Sequence, residues 1–224
     1  MKVALQATAS ALFGLVFFGL ALFLPAGTFD YWQGWVFIAV FMGPTLLPSV
    51  YLAVKHPDAL QRRMNAGPSS ETRPIQRIII SATVLLVAAT LVVSALDHRF
   101  EWSTVPLWAV IVGNVLVGAG LLVAQFVVIQ NNYASANITV EAGQPLVSTG
   151  LYGFVRHPMY FGALIMMIGT PLALDSLWGL AVVVLAFPVL AARILDEEKM
   201  LVDELAGYRE YTTHVRSRLV PGVW

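Results

Sequence analysis

The chain has 224 residues, no cysteine and a formal net charge of zero, with 13 Lys and Arg set against 13 Asp and Glu. Hydrophobic residues make up 58% of it and charged residues only 12%, which is too apolar for a soluble domain of this length and points to an integral membrane protein. The lack of cysteine excludes disulfides, thiolate metal ligands and a cysteine nucleophile, and the balanced charge offers no basis for nucleic-acid binding.

A helix that crosses a bilayer needs about 20 apolar residues, and the runs 4–24, 33–54, 77–96 and 105–129 supply them. Pro25-Ala26-Gly27 reads as the end of the first span rather than as a cleavage site. Between the second and third runs, residues 55–76 hold a basic amphipathic stretch around Leu60 to Met64, suited to an anionic membrane surface, and then a Gly-Pro-Ser-Ser turn. Gly113, Gly118 and Gly120 lie inside the fourth run, where small residues permit close helix packing. Two shorter runs, 159–174 and 177–195, are separated only by Leu174-Asp175-Ser176 and read as a helical hairpin that crosses and returns. The expected fold is an all-α, polytopic membrane bundle of about six crossings, with a four-span region over 1–129 and a C-terminal region over 130–224.

Charge placement gives an expected orientation. Lys2, Lys55, Arg62, Arg63, Arg73, Arg77, Arg156, Arg193, Lys199, Arg209, Arg216 and Arg218 all fall on one side of such a bundle, and Arg99 alone on the other. The excess of Lys and Arg marks the cytoplasmic side, so both termini and the C-terminal polar segments are expected there, at the inner membrane if the chain is bacterial. Asp30, Asp97, Glu101 and Asp175, and His98 in an outer loop, would face the opposite side.

Chemistry is expected where the charges gather. Pro158 suits the first position of a helix, which sets Arg156 and His157 beside a helix N-terminus, where an anion is favoured. The last run ends in Asp196-Glu197-Glu198; Arg193 and Glu197 are four apart and share a face, and Glu198 is turned from Glu197 by about 100°. If the hairpin brings 156–160 beside 193–198, the site offers donors for a carboxylate and acceptors for an ammonium and for ribose hydroxyls. That set suits an amino-acid nucleoside. Tyr133, Phe154, Tyr160, Phe161, Met166 and Met167, with Arg193, are candidate contacts for an apolar acceptor. No pair of histidines has metal-ligand spacing, so no metal is expected.

The run NNYASANITVEAGQPLVSTGLYGFVRHPMYFG, followed by Arg193, DEEKMLVDELAGYREY and the ending RSRLVP, resembles the C-terminal half of the isoprenylcysteine carboxyl methyltransferase family. These are membrane-embedded enzymes that use S-adenosyl-L-methionine and are related to the phospholipid methyltransferases. The resemblance covers about residues 130–221 and implies methyl transfer to a lipidic or lipidated acceptor: a prenylcysteine-like carboxylate, a thiol or a lipid amine. It assigns cofactor binding to Leu146, Val147, Gly150, Tyr152, Arg156, His157, Tyr160, Glu197 and Glu198, with catalytic parts for Arg156, His157 and Glu198. Tyr208 and Tyr211 match the family's Y-x-x-Y element, and Arg218 to Pro221 its basic-Leu-x-Pro ending. The chain departs from the pattern at Gln144, where many members carry His, and at Tyr133, where Trp is common. No GxGxxG joins a strand to a helix, so a soluble-type methyltransferase fold is not expected. A sterol- or isoprenoid-type membrane reductase using NADPH shares a similar RHPxY element but more often carries Ser and Asn where this chain has Val155 and Met159. A non-enzymatic membrane protein would place polar residues at mid-span, where this chain has few beyond Asn114 and Gln125.

Overall fold

The computed structural model describes residues 2–55, 60, 67–71, 73–134, 138–141 and 143–224, and no strand occurs among them. The helices are α1 (Lys2–Ala26), α2 (Trp32–Lys55), α3 (Pro74–Phe100), α4 (Leu107–Gln130), α5 (Pro158–Ala173), α6 (Trp178–Glu204) and the short α7 (Tyr208–His214). Thr8–Ala26 and the whole of α3, α4 and α6 are long and apolar enough to cross a bilayer. Helix α2 covers the second expected run; α5 has 16 residues and is about 24 Å long. The amphipathic stretch expected around Leu60 to Met64 lies outside the described residues, apart from Leu60, which is buried.

The closest helix contact is between α4 and α5, and glycine makes it possible. Gly113 faces Gly169, and Gly120 faces Gly162: a Cβ on Gly169 would lie 2.6 Å from Gly113 O, and one on Gly162 2.7 Å from Gly120 O. Gly118 does not share in this, since a Cβ there would meet only Val40 Cγ1 at 3.7 Å. Helix α6 packs mainly on α3, α1 on α3, and α2 on α4. The two arms of the C-terminal hairpin therefore take different partners, and an apolar cavity lies between them.

At the end of the bundle away from Arg156, buried Asp97 ties the α3–α4 and α5–α6 connections together. Its carboxylate accepts from Ser103 N at 2.7 Å, Ser103 Oγ at 2.6 Å and Ser176 Oγ at 2.6 Å. Asp175, in the hairpin turn at φ 58°, accepts from Val105 N at 2.7 Å and Gln33 Nε2 at 2.9 Å. This capping lengthens α3 beyond the expected 77–96, so His98 is in its last turn rather than in a loop, stacked on Tyr31 at 4.0 Å between ring centroids. Arg99 donates to Pro25 O at 3.3 Å, beside Gly27 at φ 69°, where α1 stops. Exposed Phe29, Trp32, Trp35, Phe100, Trp102 and Trp178 surround this end, the placement aromatic residues take at a membrane–water boundary.

Because the α4–α5 contact leaves no room for a side chain, Gly120→Ala is expected to destabilise the protein by about 1–3 kcal/mol, whereas Gly118→Ala leaves it unchanged or slightly more stable. Melting in detergent measures both; equal melting temperatures would show that the close approach does not hold the helices together.

Candidate active site

The chain enters α5 through a shaped turn. Gly150 at φ 58° begins a 3-10 turn, Gly150–Gly153, and the Gln130 side chain occupies the space that a Cβ on Gly150 would need. The Gln130 amide donates to Thr149 O, and its Oε1 accepts from Leu151 N at 3.2 Å. Pro158 opens α5, and His157 precedes it at φ −123° without a side-chain cap. Backbone N–H groups of Arg156 and His157 donate to Ser217 O at 3.0 Å and Arg218 O at 2.9 Å. The C-terminal tail is thereby laid along the entry to α5, and Arg218 arrives beside α6.

Around the acidic end of α6 these elements form a buried charge cluster. Glu198 Oε1 is 3.1 Å from Arg156 Nε and 3.4 Å from His157 Nε2, and Glu198 Oε2 accepts from Arg218 Nε at 2.8 Å. Glu197 Oε2 accepts from Tyr160 OH at 2.7 Å and lies 3.9 Å from His157 Nδ1. Residues 156–160 and 193–198 thus meet as expected. The intrahelical Arg193–Glu197 pairing does not form: Arg193 Nε donates to Tyr160 OH at 2.9 Å, and Arg193 Nη1 to Gln76 Oε1 at 2.8 Å and to Glu71 Oε1 at 3.1 Å. A carboxylate from the α2–α3 connection competes successfully with the helical neighbour.

Two cavities adjoin at Met159 and Tyr160. One, of about 110 Å³, has polar and apolar lining in similar shares, with Tyr133, Gln144, Leu146, Val147, Tyr152, Arg156, His157, Glu197, Tyr208 and Tyr211 among it. Its mixed lining suits a ligand that carries both charged groups and a flat apolar part. Two buried polar atoms on this lining, Arg156 Nε and Tyr208 Oη, have no hydrogen-bond partner; the Arg156 N–H is near Glu198 without pointing at it. Unsatisfied buried polar groups are costly, and a polar atom placed in the cavity would relieve both. Burial raises the phenol pKa values of Tyr152, Tyr208 and Tyr211, keeping these hydroxyls neutral. The second cavity, of about 330 Å³, lies among the helices and is almost wholly apolar: Phe18, Phe37, Phe41, Leu86, Met166 and Met167 line it, and Arg193 is the charged residue at its edge.

The structure sorts the expected residues. Leu146, Val147, Tyr152, Arg156, His157, Tyr160, Glu197 and Tyr133 line the polar cavity; Tyr160, Met166, Met167 and Arg193 line the apolar one. Glu198 lies behind the polar cavity, both its oxygens taken by cations. Gly150 shapes the turn without lining either space. Phe161 lines neither and packs with Leu164, Ile194 and Leu219, because the tail covers that face of α5, and Phe154 is exposed. Sequence reasoning missed Glu71 and Gln76, which reach the site from outside the motif-bearing half. It also assigned no role to Arg218 or Tyr208, although both fell within recognised elements.

No curated protein matches the chain. Residues 108–207 match the phospholipid methyltransferase family, from the first turn of α4 to the residue before α7, and this span contains Arg156, His157, Tyr160, Arg193, Glu197 and Glu198. The motif resemblance and this match agree: residues 108–207 are similar to the phospholipid methyltransferases, a membrane methyltransferase family.

Proposed function

We propose that the protein transfers a methyl group from S-adenosylmethionine to a hydrophobic or lipidic acceptor. The observation that carries this reading is the pair of adjoining cavities, one fit for a polar nucleoside and one for an apolar chain, with Met159 and Tyr160 as their common wall. The residues present fit the methyl donor. Arg156 and Tyr208 offer unsatisfied buried donors for a carboxylate or ribose oxygen, Glu197 offers acceptor oxygens for an amino or hydroxyl group, and Leu146 and Val147 give an apolar surface for a base.

S-adenosylmethionine supplies an already activated sulfonium methyl, so the protein's task is chiefly alignment and exclusion of water. Glu198 holds Arg156, His157 and Arg218 in place rather than contacting the ligand. Tyr160 fixes the boundary at which the acceptor's nucleophile would meet the methyl. An acceptor amine or thiol must lose a proton, and His157 or Glu197 lies in the polar cavity to take it; a carboxylate acceptor needs no base. The acceptor enters from the bilayer between helices and the methyl donor from the cytoplasm, with both termini on that side, consistent with the concentration of Lys and Arg at the site's end of the chain.

Calorimetric titration of the detergent-purified protein with S-adenosylhomocysteine, and separately with NADPH, tests the reading. Saturable binding of S-adenosylhomocysteine alone is expected; binding of NADPH alone would replace the methyltransferase reading by that of a membrane reductase. Loss of a charged hydrogen-bonding group costs about 1.5–3 kcal/mol, so Glu197→Gln is expected to weaken S-adenosylhomocysteine binding by about tenfold or more. Tyr208→Phe removes one neutral donor and should weaken it about three- to tenfold; unchanged affinity would place the ligand away from that hydroxyl.

A further inference from the structure

Glu71 lies in the connection between α2 and α3, outside the family-matched segment, yet it is 2% exposed and its carboxylate reaches into the bundle. From its Oε1 a continuous polar chain runs through Arg193 Nη1 at 3.1 Å, Arg193 Nε to Tyr160 OH at 2.9 Å, and Tyr160 OH to Glu197 Oε2 at 2.7 Å. The chain crosses from the edge of the apolar cavity, which Arg193 lines, to the polar cavity, which Glu197 lines. Tyr160 stands where the two meet, with its hydroxyl accepting from Arg193 and donating to Glu197. We propose that Glu71 is a positioning residue for methyl transfer: by holding the Arg193 guanidinium it fixes Tyr160 at the boundary of the two cavities and so sets the approach of the acceptor. This rests on the methyltransferase reading above.

Competition between carboxylates supplies the reason. Arg193 is buried, and its helical neighbour four residues on is Glu197, which would ordinarily be its ion-pair partner. Glu71 draws the guanidinium the other way, which leaves Glu197 bonded to Tyr160 and facing the polar cavity. Without the Glu71 carboxylate, Arg193 loses its counter-charge beside Gln76, its bond to the Tyr160 hydroxyl loosens, and the face of the wall toward the acceptor shifts while Glu197 stays on the polar cavity. The same connection is docked a second time, by Arg73 Nη2 on Asp196 Oδ1 at 2.8 Å; Arg73 does not touch Arg193, and without it Asp196 still accepts from the Gln76 amide that meets Arg193, so this second anchor separates positioning from simple docking.

The test follows radiolabelled methyl from S-adenosylmethionine into a total phospholipid extract supplemented with a farnesylated cysteine analogue, alongside S-adenosylhomocysteine binding. For Glu71→Ala, kcat is expected to fall about tenfold or more, as small misalignments at the reacting atoms do. The KM for S-adenosylmethionine and the affinity for S-adenosylhomocysteine should stay within about twofold of the parent values, since Glu71 does not touch the polar cavity. Glu71→Gln, which keeps an acceptor oxygen at the same reach, should recover part of kcat and serves if the alanine variant does not fold; Arg73→Ala should keep kcat. A parent protein that labels no lipid overturns the methyl-transfer reading and this inference with it. A parent that labels lipid, with Glu71 variants of undiminished kcat, overturns the role of Glu71 alone. Equal losses in Arg73→Ala, or a parallel loss of S-adenosylhomocysteine affinity, would reduce Glu71 to a docking contact.

Discussion

A carboxylate buried within a helix bundle is tolerated only with cations close by. Glu198 is in that position, and the site is arranged around it. Arg156 and His157 come from the entry to α5, and Arg218 from the tail, each within 3.4 Å of a Glu198 oxygen. The tail in turn is held along residues 156 and 157 by two backbone hydrogen bonds. These three stretches of chain converge around that charge, with Leu219 of the tail packed on Leu164 and Ile194 beside it, and their convergence forms one wall of the polar cavity.

The membrane bundle was readable in the sequence because hydropathy reports the length of apolar runs, and the runs became helices close to where they were drawn. The meeting of 156–160 with 193–198 was also readable, since a hairpin leaves little freedom to its two polar ends. The partner of Arg193 was not. Helical spacing made Glu197 its natural mate, and only the folded α2–α3 connection reveals the competing Glu71. The resemblance gave both Glu197 and Glu198 to the cofactor; the roughly 100° between neighbouring helix positions, legible in the sequence, sends one to the cavity and the other to the cations behind it. Phe161 was misplaced for a similar reason: periodicity puts a side chain on a face, and the tail that covers that face comes from 58 or more residues later in the chain.

Tyr160 joins two spaces of opposite character because it has two characters itself, an apolar ring and a hydrogen-bonding hydroxyl. It contributes to the lining of both cavities, while its hydroxyl is bonded to Arg193 and Glu197. An aliphatic side chain there would leave those two charged groups without their bridge, and a charged one would have to be buried against the apolar side. His157, stacked with Tyr160 at 5.6 Å between ring centroids, further restricts the ring.

The two cavities draw on different lengths of chain. The polar one is lined wholly from residues 131 to 211, whereas the apolar one borrows Phe18 from α1, Phe37 and Phe41 from α2, and Ile80, Leu86 and Leu91 from α3. Replacements in the first three helices can therefore change the size and outline of the apolar space while the polar one keeps its walls. Selection acting on such a chain can diversify one pocket and hold the other constant, as if each half of the gene carried its own specification.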